Sequence, residues 1–406
     1  MIRGSRYNEV MIRFAALLAL LVSVCAPSFA ETFLIIPFFN HSKDANLNWI
    51  GESLSEAIRE ALAGQGAMVI DRDNRREGYR RLSMKPNTLL TKASVVVLGE
   101  AVDADQVIYG SYELLPSADS PAKSRGSLRI TAQILDRKKM TRGPEYMEVG
   151  ALEDLARLQT HLAWQTLEFS TPKTAPSEQE FRNSQPAIRL DAIENYVRGL
   201  LANSSDQKMN FLLQAVRLDP KYSQANYQLG RLLYEKKSTR AAADTLQKVA
   251  ATDDHFREAT FLLGLCRFYL GDYQGAQESF QLVSQTVPLN EVLNNLGVAQ
   301  LRRNLLGNAL QNLKKALDGD TADPDYQFNV GYALYKLGNF PAAMDRFRAV
   351  LERVPEDQAA TVMLGLCLKQ PNTRAAETRS EGLERLKTNY EESAYWQLKA
   401  VLEPKR

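Results

Sequence analysis

FLLGLCRFYLGDYQGAQESFQLVSQTVP, residues 261–288, and FNVGYALYKLGNFPAAMDRFRAVLERVP, residues 328–355, are two copies of one pattern. Gly264, Gly271, Ala276, Phe280 and Pro288 of the first stand at the same offsets as Gly331, Gly338, Ala343, Phe347 and Pro355 of the second. Leu229-Gly230, Leu263-Gly264, Leu296-Gly297, Val330-Gly331 and Leu364-Gly365 carry the register on either side, with a period close to 34 residues. A fixed period of that size, with small residues where two helices touch and a bulky apolar residue four positions after an alanine, predicts stacked pairs of antiparallel helices. Gly271-Asp272-Tyr273 and Gly338-Asn339-Phe340 read as the turns inside a pair, and the prolines as helix ends. An array of this kind leaves a long open groove, so the first functional expectation is a binding surface rather than a catalytic centre.

The intermediate copies vary. The one at Leu229-Gly230 keeps Ala242 and Leu246 but has Asp254 in place of the proline. The one at Leu296-Gly297 keeps Ala309, Leu313 and Ala316 and is stretched through Asp318-Gly319-Asp320. Residues 191–220 form an atypical first copy. Residues 371–406 carry no clear register and are expected to be capping helices over the last apolar face.

The chain has 406 residues, 45% apolar and 24% charged, with a formal net charge of +2. That suits a soluble protein of two or three domains, and the small charge gives no argument for a nucleic-acid partner. Residues 1–30 differ in kind. Arg3, Arg6 and Arg13 precede an apolar run from Phe14 to Val24, and Ser28-Phe29-Ala30 offers small residues before Glu31. This is the order of a secretory signal peptide, starting at Met1 or Met11, and it predicts a periplasmic or otherwise exported protein. Cys25 raises lipid attachment at an outer membrane, but the branched Val24 before it argues for cleavage after Ala30 instead. Cys266 and Cys367 fall at the same repeat position three copies apart, too far for a disulfide, and read as buried free thiols.

Residues 31–170 read as a small mixed-sheet α/β domain. The continuous apolar run 32–39 suits a buried strand, followed by a helix over about 47–63 and a short strand at 67–70. A basic segment and an apolar helix over about 89–102 lead to antiparallel strands at 106–114 and 127–135. The second of these alternates Leu128, Ile130, Ala132 and Ile134 with polar residues. A strand near 145–149 and a helix over about 152–167 close the domain. Residues 171–189, rich in Thr, Pro, Ser and Glu, read as a linker.

The pattern from residue 190 to 370 resembles the tetratricopeptide repeat, on the glycine, alanine, aromatic and proline positions quoted above. That resemblance implies an α-solenoid whose first helices line a concave groove. By register the groove residues are Tyr227, Arg231 and Tyr234; Phe261, Leu265 and Phe268; Asn294, Val298 and Leu301; and Phe328, Tyr332 and Tyr335. The lysine and asparagine pairing by which some relatives clamp a terminal carboxylate is not found, so a peptide C-terminus is not the expected ligand. Pro37, Phe38, Asn40, Trp49, Ile50, Gly51, Leu54, Ala132, Gln133, Ile134 and Asp136 resemble the amino-terminal domain of TolB and related envelope proteins, without the propeller that follows it there. These residues read as structural: Asn40 for a turn, Gly51 for a close approach, Trp49 as a cover for the sheet.

Other signals are weak. Arg72, Arg75, Arg76, Arg80, Arg81 and Lys85 cluster around Tyr79, leaving a peripheral membrane contact open, although a solvated helix face is the simpler reading. His41, His161 and His255 lie in unrelated segments without metal-ligand spacing, and the string Ser120–Lys123 lies in a polar loop. No catalytic residue, metal or cofactor is expected. The functional expectation is a non-enzymatic adaptor that binds protein or peptide partners in the cell envelope. The alternative is an accessory subunit of an outer-membrane secretion or assembly complex, and homo-oligomerisation is left open.

Overall fold

A computed structural model describes residues 31–42, 44–115, 126–185, 187–369, 382–392 and 394–396. The signal-peptide reading, Cys25 and the Ser120–Lys123 string fall outside them.

The apolar run at 32–39 forms β1 (Thr32–Ile35) and β2 (Phe39–Asn40). Phe33 and Ile35 enter the core on one side of the sheet, and Leu34 and Ile36 enter a second core on the other. Burial on both faces explains why this strand is apolar throughout instead of alternating. α1 (Trp49–Gly64), β3 (Met68–Val69), α2 (Arg72–Arg81) and α3 (Lys92–Ala101) follow, then β4 (Gln106–Leu115), β5 (Ser127–Asp136), β6 (Thr141–Ala151) and α4 (Leu155–Ser170). The strand order is β3-β1-β4-β5-β6, with β2 beside β4. β1 runs parallel to β3 and β4, while β4, β5 and β6 are antiparallel. The mixed sheet expected from the sequence is therefore present. Gly51 lets α1 approach the loop after β1, since a Cβ there would stand 2.1 Å from the Phe38 carbonyl oxygen. Asn40 holds the following turn: its amide donates to the Asp44 carbonyl and the Asn48 side chain at 2.9 Å each, and its oxygen accepts from the Ser42 N–H.

The expected linker is a packed connection. Ser177 and Glu180 make a reciprocal capping box that starts α5 (Glu178–Ser184), and Phe181 is buried in the same core as α1 and α4. The polar composition of the segment hid one short amphipathic helix.

The array then pairs α6 (Leu190–Leu201) with α7 (Ser205–Leu218), α8 (Ser223–Glu235) with α9 (Thr239–Leu246), and α10 (Phe256–Tyr269) with α11 (Tyr273–Ser284). α12 (Asn290–Arg302) pairs with α13 (Leu306–Gly319), α14 (Pro324–Lys336) with α15 (Phe340–Arg353), and α16 (Gln358–Lys369) follows. A Cβ on Gly264 would meet the Phe280 ring at 2.7 Å, and one on Gly297 would meet Leu313 at 2.6 Å. The glycines therefore let the bulky residue of the second helix seat against the backbone of the first. The turn inside each of the four pairs from α8 to α15 has a left-handed residue at one place: Gly271 (φ 82°) and Gly338 (φ 78°), but Lys237 (φ 61°) and Asn304 (φ 58°) in the variant copies. Cys266 and Cys367 are buried and unbridged, and burial pushes both thiols up to about 11.

Of residues 371–406, where capping helices are expected, 392 and 394–396 are helical and 382–391 are not, the rest lying outside the described residues. Residues 383–391 are extended and run back along the concave face, from α16 toward α10. Their backbone is held in the groove by side chains of α12 and α14, which compete successfully with helical hydrogen bonding.

Candidate functional site: the concave groove

Two asparagines set the geometry. Asn295 and Asn329 each stand two residues before the register glycine of their copy, Gly297 and Gly331, so they occupy the same place on successive first helices. The Asn329 side chain donates to the Arg385 carbonyl at 2.7 Å and accepts the Arg385 N–H at 2.9 Å. Asn295 does the same to Lys387, at 2.7 Å and 2.8 Å. A carboxamide offers both a donor and an acceptor, so each asparagine satisfies both backbone polar groups of one residue in a segment that has no sheet to pair with. Alternate residues of an extended chain face the same way, which is why residues 385 and 387 are the ones read. Asn294 supports the ladder: it donates to the Arg385 carbonyl at 2.9 Å and accepts from Asn329 at 2.8 Å. All three asparagines are fully buried.

Charge then selects the side chains. Arg385 forms two hydrogen bonds to Asp357, at 2.7 and 2.8 Å, and a third to Asp325 at 3.2 Å. Its guanidinium lies 3.9 Å from the centre of the Phe328 ring. The Lys387 ammonium donates to Asp323 and Asp325 at 2.7 Å each and sits 5.0 Å from the Tyr326 ring centre. Burial opposes the charge on Lys387, yet the hydrogen bonds to the two aspartates hold its pKa above the ordinary lysine value. Asp323 also caps α14, accepting the Asp325 and Tyr326 N–H groups, and Asp357 accepts the Ala360 N–H. Further along, Tyr390 stacks on Phe261 with ring centres 5.0 Å apart, and Glu392 meets Arg257. Glu384 pairs with Arg302 at 3.2 Å, and Leu383 and Leu386 pack on the array core.

Among the groove residues expected from register, Phe261, Asn294 and Phe328 touch this segment. Leu265, Val298, Leu301 and Tyr332 belong to the clusters on which Leu386 packs, and the register residues also make contacts within the array. Tyr227 stacks on His255 at 4.3 Å, and Arg231 pairs with Glu235 at 3.3 Å. Tyr234 packs on the cluster around Phe261, and Phe268 lies under the Arg302 guanidinium. Leu265, Val298 and Leu301 are buried between helices. Tyr332 lies parallel to Phe328 at 6.4 Å, and Tyr335 packs on Phe340 at the turn. Asn295, Asn329, Asp323, Asp325 and Asp357 were missed. The repeated asparagine two residues before the glycine was a usable signal. The aspartates were not, because a residue of that type before a helix reads as a cap.

The basic cluster around Tyr79 is mostly a solvated face, with Arg76, Arg80, Arg81 and Lys85 exposed and Arg75 alone buried. Arg75 is buried against Glu52 and donates to the Ile35 carbonyl, Arg72 pairs with Glu52 at 3.0 Å, and Arg80 and Arg81 pair with Glu77. Tyr79 is itself buried, and that burial pushes its hydroxyl up to about 12. The array is also seated on the α/β domain through one continuous apolar core that joins α1 and α4 to Ile193, Tyr196 and Tyr222. A cavity of about 710 Å³ at this seat is lined by Glu56, Glu60, Asp253 and Asp254 among others. Burial, then Glu56 and both aspartates acting against the pull of Arg59, push the Glu60 carboxyl up to about 8.

The tetratricopeptide repeat family model matches residues 227–284, 261–326 and 329–377. No curated protein matches the chain. Among solved structures, YrrB, described as a TPR protein with an unusual peptide-binding site, is 20% identical with a TM-score of 0.39, over 45% of this chain and 93% of its own. MamA 41-end from Desulfovibrio magneticus RS-1 is 19% identical with a TM-score of 0.37, over 42% of this chain and all of its own. A further MamA structure is 17% identical with a TM-score of 0.37, over 40% of this chain and 91% of its own. With the helical pairs, the glycine contacts and the family match together, residues 227–326 and 329–377 carry tetratricopeptide repeats, and the helical half is a tetratricopeptide-repeat-like solenoid.

Proposed function

We propose that this protein is an exported, non-catalytic adaptor of the cell envelope whose repeat groove binds an extended segment of a protein partner. The observation that carries the reading is the asparagine pair: Asn295 and Asn329 hold both backbone polar groups of alternate residues in an extended chain. Main-chain bonding of this kind supplies affinity for any extended peptide, and flanking side chains supply selection. Export rests on the charged and apolar order of residues 1–30. The α/β domain, packed by a shared core against the first repeats, acts as a fixed base, and its resemblance to TolB-type envelope domains favours a partner in the same compartment.

Crosslinking in intact cells tests this, comparing the unchanged chain with Asn295→Ala plus Asn329→Ala. Loss of crosslinks from the concave face to other envelope proteins is expected. An unchanged set of crosslinks would remove the groove from the account, and a cytosolic chain retaining residues 1–30 would remove export.

A further inference from the structure

A groove that binds peptides is here already filled by ten residues of its own chain, and the contacts differ in what they demand of an occupant. The backbone contacts at Asn295 and Asn329 accept any sequence. The side-chain contacts do not. Asp325 and Asp357 grip a guanidinium over Phe328, Asp323 and Asp325 grip an ammonium over Tyr326, and Phe261 takes an aromatic ring three residues later. Three carboxylates facing the groove would repel one another without cations between them, so the vacant groove strongly favours a basic ligand.

We infer that the partner presents an extended segment with two cationic side chains at alternate positions and an aromatic residue three places after the second. Residues 383–392, LERLKTNYEE, copy that pattern and hold the groove closed until the partner displaces them. This deepens the reading of the groove as a peptide site and depends on it. A tethered occupant competes at an effective concentration on the order of millimolar, so a free peptide meets an occupied groove and binds at least about tenfold more weakly than to an open one. Partner binding is thereby confined to ligands that are tighter than the copy or locally concentrated.

The test uses the full chain and a fluorescent synthetic peptide, GLERLKTNYEE, corresponding to residues 382–392. The unchanged chain is compared with one carrying Arg385→Glu and Lys387→Glu, which empties the groove by placing carboxylates against Asp323, Asp325 and Asp357. The expected result is binding at least about tenfold tighter to the substituted chain, lost again when Asp325→Asn and Asp357→Asn are added or when the peptide itself carries the two glutamates. Equal binding to unchanged and substituted chains would overturn the displacement idea. Equal binding of the charge-reversed peptide would overturn the cationic pattern while leaving the groove a peptide site. Failure of every peptide to bind the substituted chain, with helix content unchanged by circular dichroism, would overturn the groove reading itself. A dimer by light scattering that becomes monomeric on substitution would also overturn the inference, because the occupant would then be the same segment of a second copy. If the double reversal unfolds the array, Lys387→Ala alone carries the same comparison.

Discussion

The array is covered at two places by two other parts of the same chain, and the covers are built differently. At its first repeats the α/β domain is joined by a continuous apolar core in which α1 and α4 meet Ile193, Tyr196, Leu212 and Tyr222. Along its later repeats the groove is filled by an extended segment held through asparagine ladders and matched charges. Apolar burial is non-directional and accumulates with area, so the first cover is a permanent base. Hydrogen bonds and ion pairs exchange against water or against an equivalent ligand at small net cost, so the second can be replaced by something that makes the same bonds. The comparison separates a foundation from a site.

The sharpest break is Asn329→Ala. It deletes the pair of bonds to Arg385 and the bond to Asn294, leaving buried polar groups unmatched. A loss of about 2–3 kcal/mol in the docking of residues 383–391 is expected, seen as a rise of about a hundredfold in hydrogen exchange of the Arg385 and Lys387 amides. Protection that survives would mean that apolar contacts hold the segment.

Glu60 tests the foundation. Its folded pKa of about 8 lies above the unfolded value of 4.5, so the native state binds the extra proton between those limits and stability falls as pH rises through them. Glu60→Gln is expected to raise stability by roughly 1–2 kcal/mol at pH 8 or above, with little difference near pH 5, measured by denaturant unfolding. A gain that does not depend on pH would show that the carboxyl is not pressed by its neighbours.

Asp357→Asn keeps the shape and removes one charge from the Arg385 grip, for about 1 kcal/mol of docking that shrinks as salt rises. The same exchange experiment at low and high ionic strength reads it, and an effect insensitive to salt would argue against charge selection. Lys237→Gly relieves a left-handed turn residue where sister copies already use glycine, and is expected to stabilise the array by about 0.5–1 kcal/mol. Thermal unfolding measures it, with Gly271→Ala shifting the opposite way. Arg231→Ala is the smallest change: Arg231 bonds Glu235, away from residues 383–392, so docking should move by less than about 0.5 kcal/mol.

Much of the fold was legible. The glycine and bulky-residue pairs at a fixed offset demand close helix contacts wherever they recur, and Gly264 with Phe280 makes that contact as read. The doubly buried β1 was legible because continuous apolar residues have no solvated face to spare. Of the groove, Phe261, Asn294 and Phe328 were reachable from register. Tyr227 and Tyr335 follow from the same rule, and each has a ring neighbour within the array that the register did not name, because helical register gives a direction and not a partner.

What lies in the periodic sequence is local: which residues form paired helices, where they turn, and that their stacking leaves a concave face. What occupies that face was decided only in three dimensions. Residues 383–391 have no periodicity of their own and take an extended form because Asn295 and Asn329, more than fifty residues away in the chain, supply the hydrogen bonds that a helix would otherwise provide. Asp323 and Asp357 likewise cap helices by local rule, and become a cation site only where the chain folds back to bring Arg385 and Lys387 to them.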